Sequence, residues 1–345
     1  MTERTPAPSA VLRVWRLAFG VGLAALLSYA LAPDMASIFV LLALFILLPP
    51  KAPPALGELV KLLFILVLAT VWGMALGVLI GWIPALGIGL FLIGMVFTLR
   101  FGLARPDLGI ISMLFTVGQT LIAAVSFRSV ELGVAMMLMM IGGFVFAFAV
   151  AWLSHVFLMR DAEPQVMPVP PANRDPWVSV RAALIMLPPF FAALQDLFFI
   201  PLLIKGAFLA QQVNTDTARQ QAVELVLATL IGSLATVLLW QVLSLWPNLI
   251  FLSLCLMLAI YLLACPLYGA WRSRFNFLFW QNVLVTMIIL IGPAVQDPVF
   301  GDDVREKMWI RIGLFLCISL YSILAVKLLD GLRGIALARK PAGQT

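Results

Sequence analysis

The five residues Leu-Val-Leu-Ala-Thr occur twice in this chain, at 66–70 and again at 225–229. Each copy lies in a long apolar segment and is followed three residues later by a glycine, Gly73 or Gly232. A spacing of 159 to 163 residues also relates Asp34 to Asp196, Gln119 to Gln281, and Pro84 to Pro247. A repeat half as long as the chain is too long for a solenoid unit, so the sequence predicts two copies of one membrane half.

The composition predicts that both copies lie in a bilayer. Hydrophobic residues make up 63% of the chain and charged residues only 11%, and the mean hydropathy is +1.09. A soluble domain cannot keep that much apolar surface out of water. The net charge of +6 does not indicate nucleic-acid binding, because the basic residues lie between apolar segments instead of forming one patch.

Proline, glycine and charged residues divide the chain into about twelve apolar segments, most of them near the roughly 20 residues that a bilayer core requires. We therefore predict an all-α integral membrane protein of about 12 transmembrane helices in two like-oriented six-helix repeats. The repeats cover 1–160 and 177–345, and a Pro-rich cytoplasmic linker, 161–176, joins them. Helices are predicted near 13–32, 36–49, 57–81, 83–101, 107–126, 130–158, 177–195, 198–212, 218–245, 247–268, 275–295 and 303–330. The second and eighth are short, so they either span the bilayer or re-enter from one side.

The positions of the basic residues predict the orientation. With the N-terminus in the cytoplasm, 18 of the 22 Lys and Arg residues fall on the cytoplasmic side, as the positive-inside rule requires. Both termini are then cytoplasmic, and six helices per half give the halves the same orientation. The first segment ends in Ala30-Leu31-Ala32, like a secretory signal. Its counterpart in the second half, 181–195, predicts that it is retained as a helix.

The sequence carries no constellation that indicates an enzyme. It has no GxxxxGK[ST] loop, no HExxH and no GxGxxG after a strand. The three cysteines, Cys255, Cys265 and Cys317, lie singly in apolar runs, which is more typical of packing than of ligands or disulfides. We therefore expect no enzymatic activity, no cofactor and no metal, and any pumping must use an ion gradient.

Polar residues inside the apolar segments are the candidate site residues, because each costs free energy in lipid unless it meets a partner or water. On the fifth helix they share one face at helical spacing, and the eleventh helix repeats the pattern with Gln281 as the counterpart of Gln119. These faces either line a substrate path or form hydrogen bonds between helices. The residues are Ser112, Thr116, Gln119, Thr120, Gln281, Asn282 and Thr286.

Two basic residues are candidates for binding a substrate carboxylate. Lys205 lies in the short eighth helix, four residues after Pro201. Arg311 lies about 12 Å along the last helix from Asp303. The alternatives are a lysine that reaches the cytoplasmic headgroups, and an arginine that pairs with Asp302, Asp303 or Glu306.

Asp34 and Asp196 are the only duplicated acids, each at the outer turn after the first helix of a half. A partly buried carboxylate there could carry a coupling proton. The alternative is that each is a helix N-cap, as the sequence Asp34-Met35-Ala36-Ser37 suggests.

Three stretches resemble a known family. They are the opening from Arg13 to Leu31, with the pattern RxxRLAxGxGLAALL, the end of the second helix at Leu47-Leu48-Pro49-Pro50, and Phe279-Trp280-Gln281-Asn282-Val283-Leu284. Together with the two like-oriented halves, they resemble the fusaric-acid-resistance and aromatic-acid-exporter superfamily. The resemblance implies a bacterial inner-membrane protein that exports aromatic or other weak organic acids, often with a periplasmic adaptor of the membrane-fusion type. Longer members carry a large cytoplasmic domain, for which only 161–176 is available in this chain.

We therefore predict an inner-membrane efflux component, driven by the proton gradient, that exports weak organic acids. Its expected partners are the acid, membrane lipid, a periplasmic membrane-fusion-type adaptor and a second copy of itself, but no nucleic acid. The alternative is a non-transporting membrane subunit or scaffold of an envelope complex, in which the polar faces only hold helices together. A lipid-modifying enzyme is disfavoured because no nucleophile, acid–histidine pair or metal cluster is recognisable.

Overall fold

The computed structural model describes residues 8–31, 36–49, 55–105, 108–158, 175–212, 218–296 and 302–338. Within these ranges every regular element is a helix and no strand is present, so the all-α prediction is confirmed for this part of the chain. A 3-10 helix, Leu197–Phe199, precedes α8. The α-helices are α1 (Pro8–Leu31), α2 (Ala36–Leu47), α3 (Leu56–Trp82), α4 (Pro84–Ala104), α5 (Gly109–Arg128), α6 (Val130–Phe157), α7 (Pro176–Gln195), α8 (Ile200–Gln212), α9 (Ala218–Leu245), α10 (Leu249–Leu267), α11 (Phe277–Gln296) and α12 (Asp302–Ala338).

Among the described residues, ten helices are long and apolar enough to cross a bilayer, with spans of 19 to 28 residues. The other two, α2 and α8, have 12 and 13 residues and are therefore only about 18–20 Å long. Large apolar side chains such as Phe64, Phe97 and Leu254 point outward from the long helices. These lengths and surfaces are those of a multi-pass membrane protein in contact with lipid.

Local sequence signals account for where several helices begin. Pro84 and Pro176 occupy first turns, where the missing N–H costs nothing. The Asn248 side chain caps α10 by accepting a hydrogen bond from the Ile250 N–H at 2.9 Å. The Ser129 hydroxyl accepts one from the Leu132 N–H at the start of α6. Residues 161–174 of the predicted linker lie outside the described residues.

The contacts between helices recur six helices later in the chain. Helix α3 packs on α5, and α9 packs on α11; likewise α1 packs along α10, and α4 along α7. The first helix of each set of six therefore lies against the fourth helix of the other set. At the contact of α1 with α10, the Ser253 hydroxyl donates to the Gly22 carbonyl at 2.7 Å. The rings of Trp15 and Tyr261 are 4.8 Å apart between centroids in the same contact.

Glycines allow α3 and α5 to approach closely, and this gives a stability prediction with an internal control. A Cβ at Gly77 would lie 2.6 Å from the Ala123 carbonyl oxygen, whereas a Cβ at Gly81 would meet nothing within 4 Å. We expect Gly77→Ala to lower the free energy of unfolding by about 1–3 kcal/mol through overpacking. Gly81→Ala should be neutral or slightly stabilising, because alanine is the better helix former. Equal thermal denaturation of the two variants in detergent would contradict the close approach.

Candidate functional site

A cavity of about 500 Å³ opens between helices of the two sets of six. The first set contributes α2, α5 and α6, and the second contributes the 3-10 helix, α8, α11 and α12. Most of the lining is aliphatic, aromatic or methionine side chain. The lining residues are Ser37, Ile38, Leu41, Val125, Leu132, Ala135, Met136, Met139, Leu197, Phe198, Ile200, Pro201, Ile204, Ile289, Pro293 and Arg311.

Arg311 provides the cation of this cavity wall. Its side chain is only 8% exposed, and its guanidinium carbon lies 5.0 Å from the centroid of the Phe198 ring. A guanidinium over an aromatic face is stabilised by the ring quadrupole, and the N–H groups at its edge are hydrogen-bond donors. The side chains of Asp302 and Asp303 lie outside the described residues, and the pairing of Arg311 with Asp302, Asp303 or Glu306 stays a prediction. The cavity thus joins a permanent positive charge to an apolar wall.

Lys205 lies in the interior, between α8 and α11. It is fully buried, and its Nζ donates to the Thr286 hydroxyl oxygen at 2.6 Å. The Thr286 hydroxyl in turn donates to the Asn282 carbonyl oxygen at 2.6 Å. In the described part of the chain, Lys205 has no carboxylate partner within ion-pair distance. The structure therefore brings together Lys205 and Thr286, whereas Asn282 contributes only its backbone carbonyl one turn earlier on α11. The lysine is kept away from the protein surface.

Two residues of the polar face of α5, Ser112 and Gln119, form hydrogen bonds to α4. The Ser112 hydroxyl donates to the Thr98 carbonyl at 3.0 Å, and the Gln119 Nε2 meets the Met95 sulfur at 3.2 Å. Thr120 bonds back to the Thr116 carbonyl at 2.7 Å. The side of α5 that lines cavities is apolar. Val125 lines the large cavity, and Leu114, Val117 and Leu121 line a second, smaller space. A substrate path along Ser112, Thr116, Gln119 and Thr120 stays a prediction.

The other predicted site residues are Gln281, Asp196 and Asp34. Gln281 is half-buried on α11. Asp196 is exposed, ends α7 and caps the 3-10 helix, where its Oδ1 accepts from the Phe198 N–H at 2.9 Å. The cap is the local role that the sequence suggested as an alternative. A coupling proton on Asp196 stays a prediction, and Asp34 lies outside the described residues.

Comparison with known proteins gives no match: no family model, no curated protein and no solved structure matches this chain. The resemblance to the aromatic-acid exporters therefore remains a prediction from three short stretches of sequence. A function for this protein has to be argued from its own cavity and buried polar groups.

An ion-pair network joins the start of α7 to the end of α12, and sequence reasoning did not find it. Arg181, fully buried, donates to Asp330, which also accepts from the Trp177 indole at 2.9 Å. Beside it, Arg333 donates to Asp175 at 2.6 Å. This hydrogen bond holds the pKa of the Asp175 carboxyl below its usual value. The sequence offered one signal for this ion pair: Arg181 and Asp330 each lie at the end of an apolar segment, although they are 149 residues apart.

Two further features, one in the cavity and one beside it, were also missed. Phe198, which carries the ring under Arg311, lies in a short connection that the sequence did not single out. Phe45 and Phe208 stack at 4.6 Å between ring centroids, and their positions are 163 apart. The repeat spacing could have revealed this second pair, because it is the same spacing that relates Pro84 to Pro247.

Proposed function

We propose that this protein is an inner-membrane exporter of weak organic acids, and that the cavity binds the acid with its carboxylate toward Arg311. The observation that carries the proposal is one buried guanidinium in a wall of otherwise apolar and weakly polar side chains. Such a wall favours a solute with an apolar body and a single negative group. A solute without a negative group would not form the charge-assisted hydrogen bond with Arg311.

The size and lining of the cavity support an aromatic acid in particular. A volume of about 500 Å³ lies within the range of small-molecule sites. The Phe198 ring offers an aromatic surface beside the guanidinium, and Met136 and Met139 supply adaptable apolar contacts. The resemblance to the aromatic-acid exporters points to the same class of solute.

The proposed architecture is twelve membrane-inserted helices in two like-oriented halves, with both termini in the cytoplasm. The contacts that recur six helices on support it, because a duplicated half should pack in the same way twice. The two short helices, α2 and α8, are counterparts in this scheme, and both line the cavity. In the same scheme Lys205 is a second, deeper cation for the acid. Asp34 and Asp196 remain the candidates for proton coupling, and a periplasmic adaptor of the membrane-fusion type is the proposed partner.

A specific observation favours a second candidate function, a membrane subunit that does not transport. Ser112 and Gln119 bond to α4, which is what polar residues do when they only hold helices together. A scaffold would need no binding of organic acids. The transport measurement below therefore separates the two functions.

Export of benzoate and of its neutral analogue benzamide from vesicles provides the test. We expect Arg311→Met to weaken the apparent affinity for benzoate by about 10- to 150-fold, the value of a charged hydrogen bond, and to leave benzamide unaffected. Arg311→Lys, which keeps the charge, should lose less. Arg128→Met is the matched control, because Arg128 is an exposed cation at the end of α5.

Two results would contradict the proposal. One is wild-type protein that moves no benzoate with or without a proton gradient, which would favour the scaffold. The other is an equal loss of benzoate affinity in the Arg311→Met and Arg128→Met variants, which would show that Arg311 does not bind the carboxylate.

A further inference from the structure

Two phenylalanines from the two short helices meet in the interior. The rings of Phe45 on α2 and Phe208 on α8 stack with their centroids 4.6 Å apart and their planes 20° from parallel. Phe208 is almost completely buried. Each set of six helices therefore contributes one ring, from helices that occupy the same place in the chain order of their sets.

The ring pair borders a second, smaller space that shares part of its wall with the cavity described above. Ile38, Leu41 and Ile204 line that cavity and also line the second space, of only about 30 Å³. Phe45 and Phe208 line only the smaller space. Phe45 follows Ser37 by eight residues on α2, which is about 12 Å along the helix.

The lining of the smaller space contains only Ile, Leu, Val, Phe and Met side chains. An organic acid that left the larger cavity in this direction would enter an apolar constriction whose lining side chains cannot bind its carboxylate. Hydrophobic constrictions of this kind close a pathway by excluding water. The wide cavity thus carries a cation in its wall, and the smaller space beside it is apolar and bordered by two stacked rings.

We propose that Phe45 and Phe208 form the barrier between the cavity and the cytoplasm, and that a substrate must part the two rings to reach Arg311 from the inside. The inference rests on the proposed export function. The direction follows from α2 and α8. Their first two turns carry the cavity-lining residues on the proposed outer side, and the phenylalanines lie toward their C-terminal ends. The described arrangement is then the state open to the outside.

Cysteine labelling tests this barrier without any substrate. In a background with Cys255, Cys265 and Cys317 replaced by alanine, Met139→Cys reports on the large cavity and Leu114→Cys on the small one. A membrane-impermeant maleimide is added to right-side-out vesicles. We expect Met139→Cys to be labelled and Leu114→Cys to be protected. Adding Phe45→Ala with Phe208→Ala should raise labelling of Leu114→Cys by roughly tenfold, because the stacked pair no longer holds the space closed.

Phe39→Ala is the matched control. Phe39 is on the same short helix, but its ring packs against Phe146 at 5.6 Å and lines neither space, so its loss should leave Leu114→Cys protected. Where the alanine variants are lost from the membrane, Phe45→Leu with Phe208→Leu removes the stacking at nearly constant volume and should give a smaller rise.

Three results would overturn the barrier. They are labelling of Leu114→Cys as fast as Met139→Cys with both rings present, continued protection in the ring variants that reach the membrane, and labelling of Met139→Cys only from the cytoplasmic side. If the labelling is as expected but benzoate is not exported, only the proposed substrate class is rejected. Benzoate export with unchanged protection in the ring variants would reject the barrier alone.

Discussion

Replacing Asp330 with asparagine is expected to lower the free energy of unfolding in detergent by about 2–3 kcal/mol. Its partner Arg181 is fully buried, and in the described part of the chain its Nε and Nη2 have no hydrogen-bond partner. The variant would therefore leave a buried guanidinium without its counter-charge, which costs about 3–5 kcal/mol in closed interiors. We expect the smaller loss of about 2–3 kcal/mol because the Asp330 side chain is 39% exposed, so that solvent screens part of the lost interaction.

The neighbouring pair is a control for this prediction. Arg333 and Asp175 are each 39% exposed, so Asp175→Asn should cost less than about 1 kcal/mol. Chemical denaturation of the two variants at neutral pH compares the costs, and equal losses would mean that burial of Arg181 has no energetic consequence. Because Arg333 lowers the pKa of Asp175, the contribution of this pair is complete above the unfolded pKa of an aspartate. It is lost as the pH falls through the lowered value.

Lys205→Met should separate function from stability. Removal of the buried amine, with methionine of similar length in its place, should leave the thermal stability unchanged or raise it, since a buried lysine without a carboxylate partner is costly. If the amine meets the carboxylate during transport, the apparent affinity for benzoate should fall by about 10- to 150-fold while benzamide transport is kept. Benzoate and benzamide export, with a melting curve for each variant, provide the measurement.

Lys327→Met removes the same charge from an exposed position on α12 and should change neither quantity. Unchanged benzoate affinity in Lys205→Met would show that the lysine has no part in handling the acid. A large loss of stability in that variant would instead show that the hydrogen bond to Thr286 is structural.

The helices could be predicted because apolar length and the placement of Pro, Gly and charge are local properties of the sequence. The end of α12 could not. The charges around Asp330 predict a stop near residue 330, but the helix continues to Ala338. Asp330 and Arg333 find partners on and before α7, 149 and 158 residues away, and no local pattern contains that information.

The candidate site shows the same division. Helical spacing predicts that Ser112, Thr116 and Gln119 share a face, but not that α4 is the neighbour of that face. The bond of Lys205 to Thr286 joins residues 81 apart, and the lysine is buried between helices instead of reaching toward the headgroups. A sequence identifies which residues are expensive in a membrane, whereas the packing of distant helices decides which partner each one meets.

The crossed packing of α1 on α10 and of α4 on α7 restricts how this protein can move. Two bundles that touched along one flat surface could rock as rigid bodies. In this fold rocking would have to break both crossed contacts, including the Ser253 bond to Gly22 and the Trp15–Tyr261 contact. The short helices α2 and α8 reach only part of the way across and border both internal spaces. For the proposed export function, we therefore expect the crossed contacts of α1 with α10 and of α4 with α7 to persist while the short helices α2 and α8 move between them.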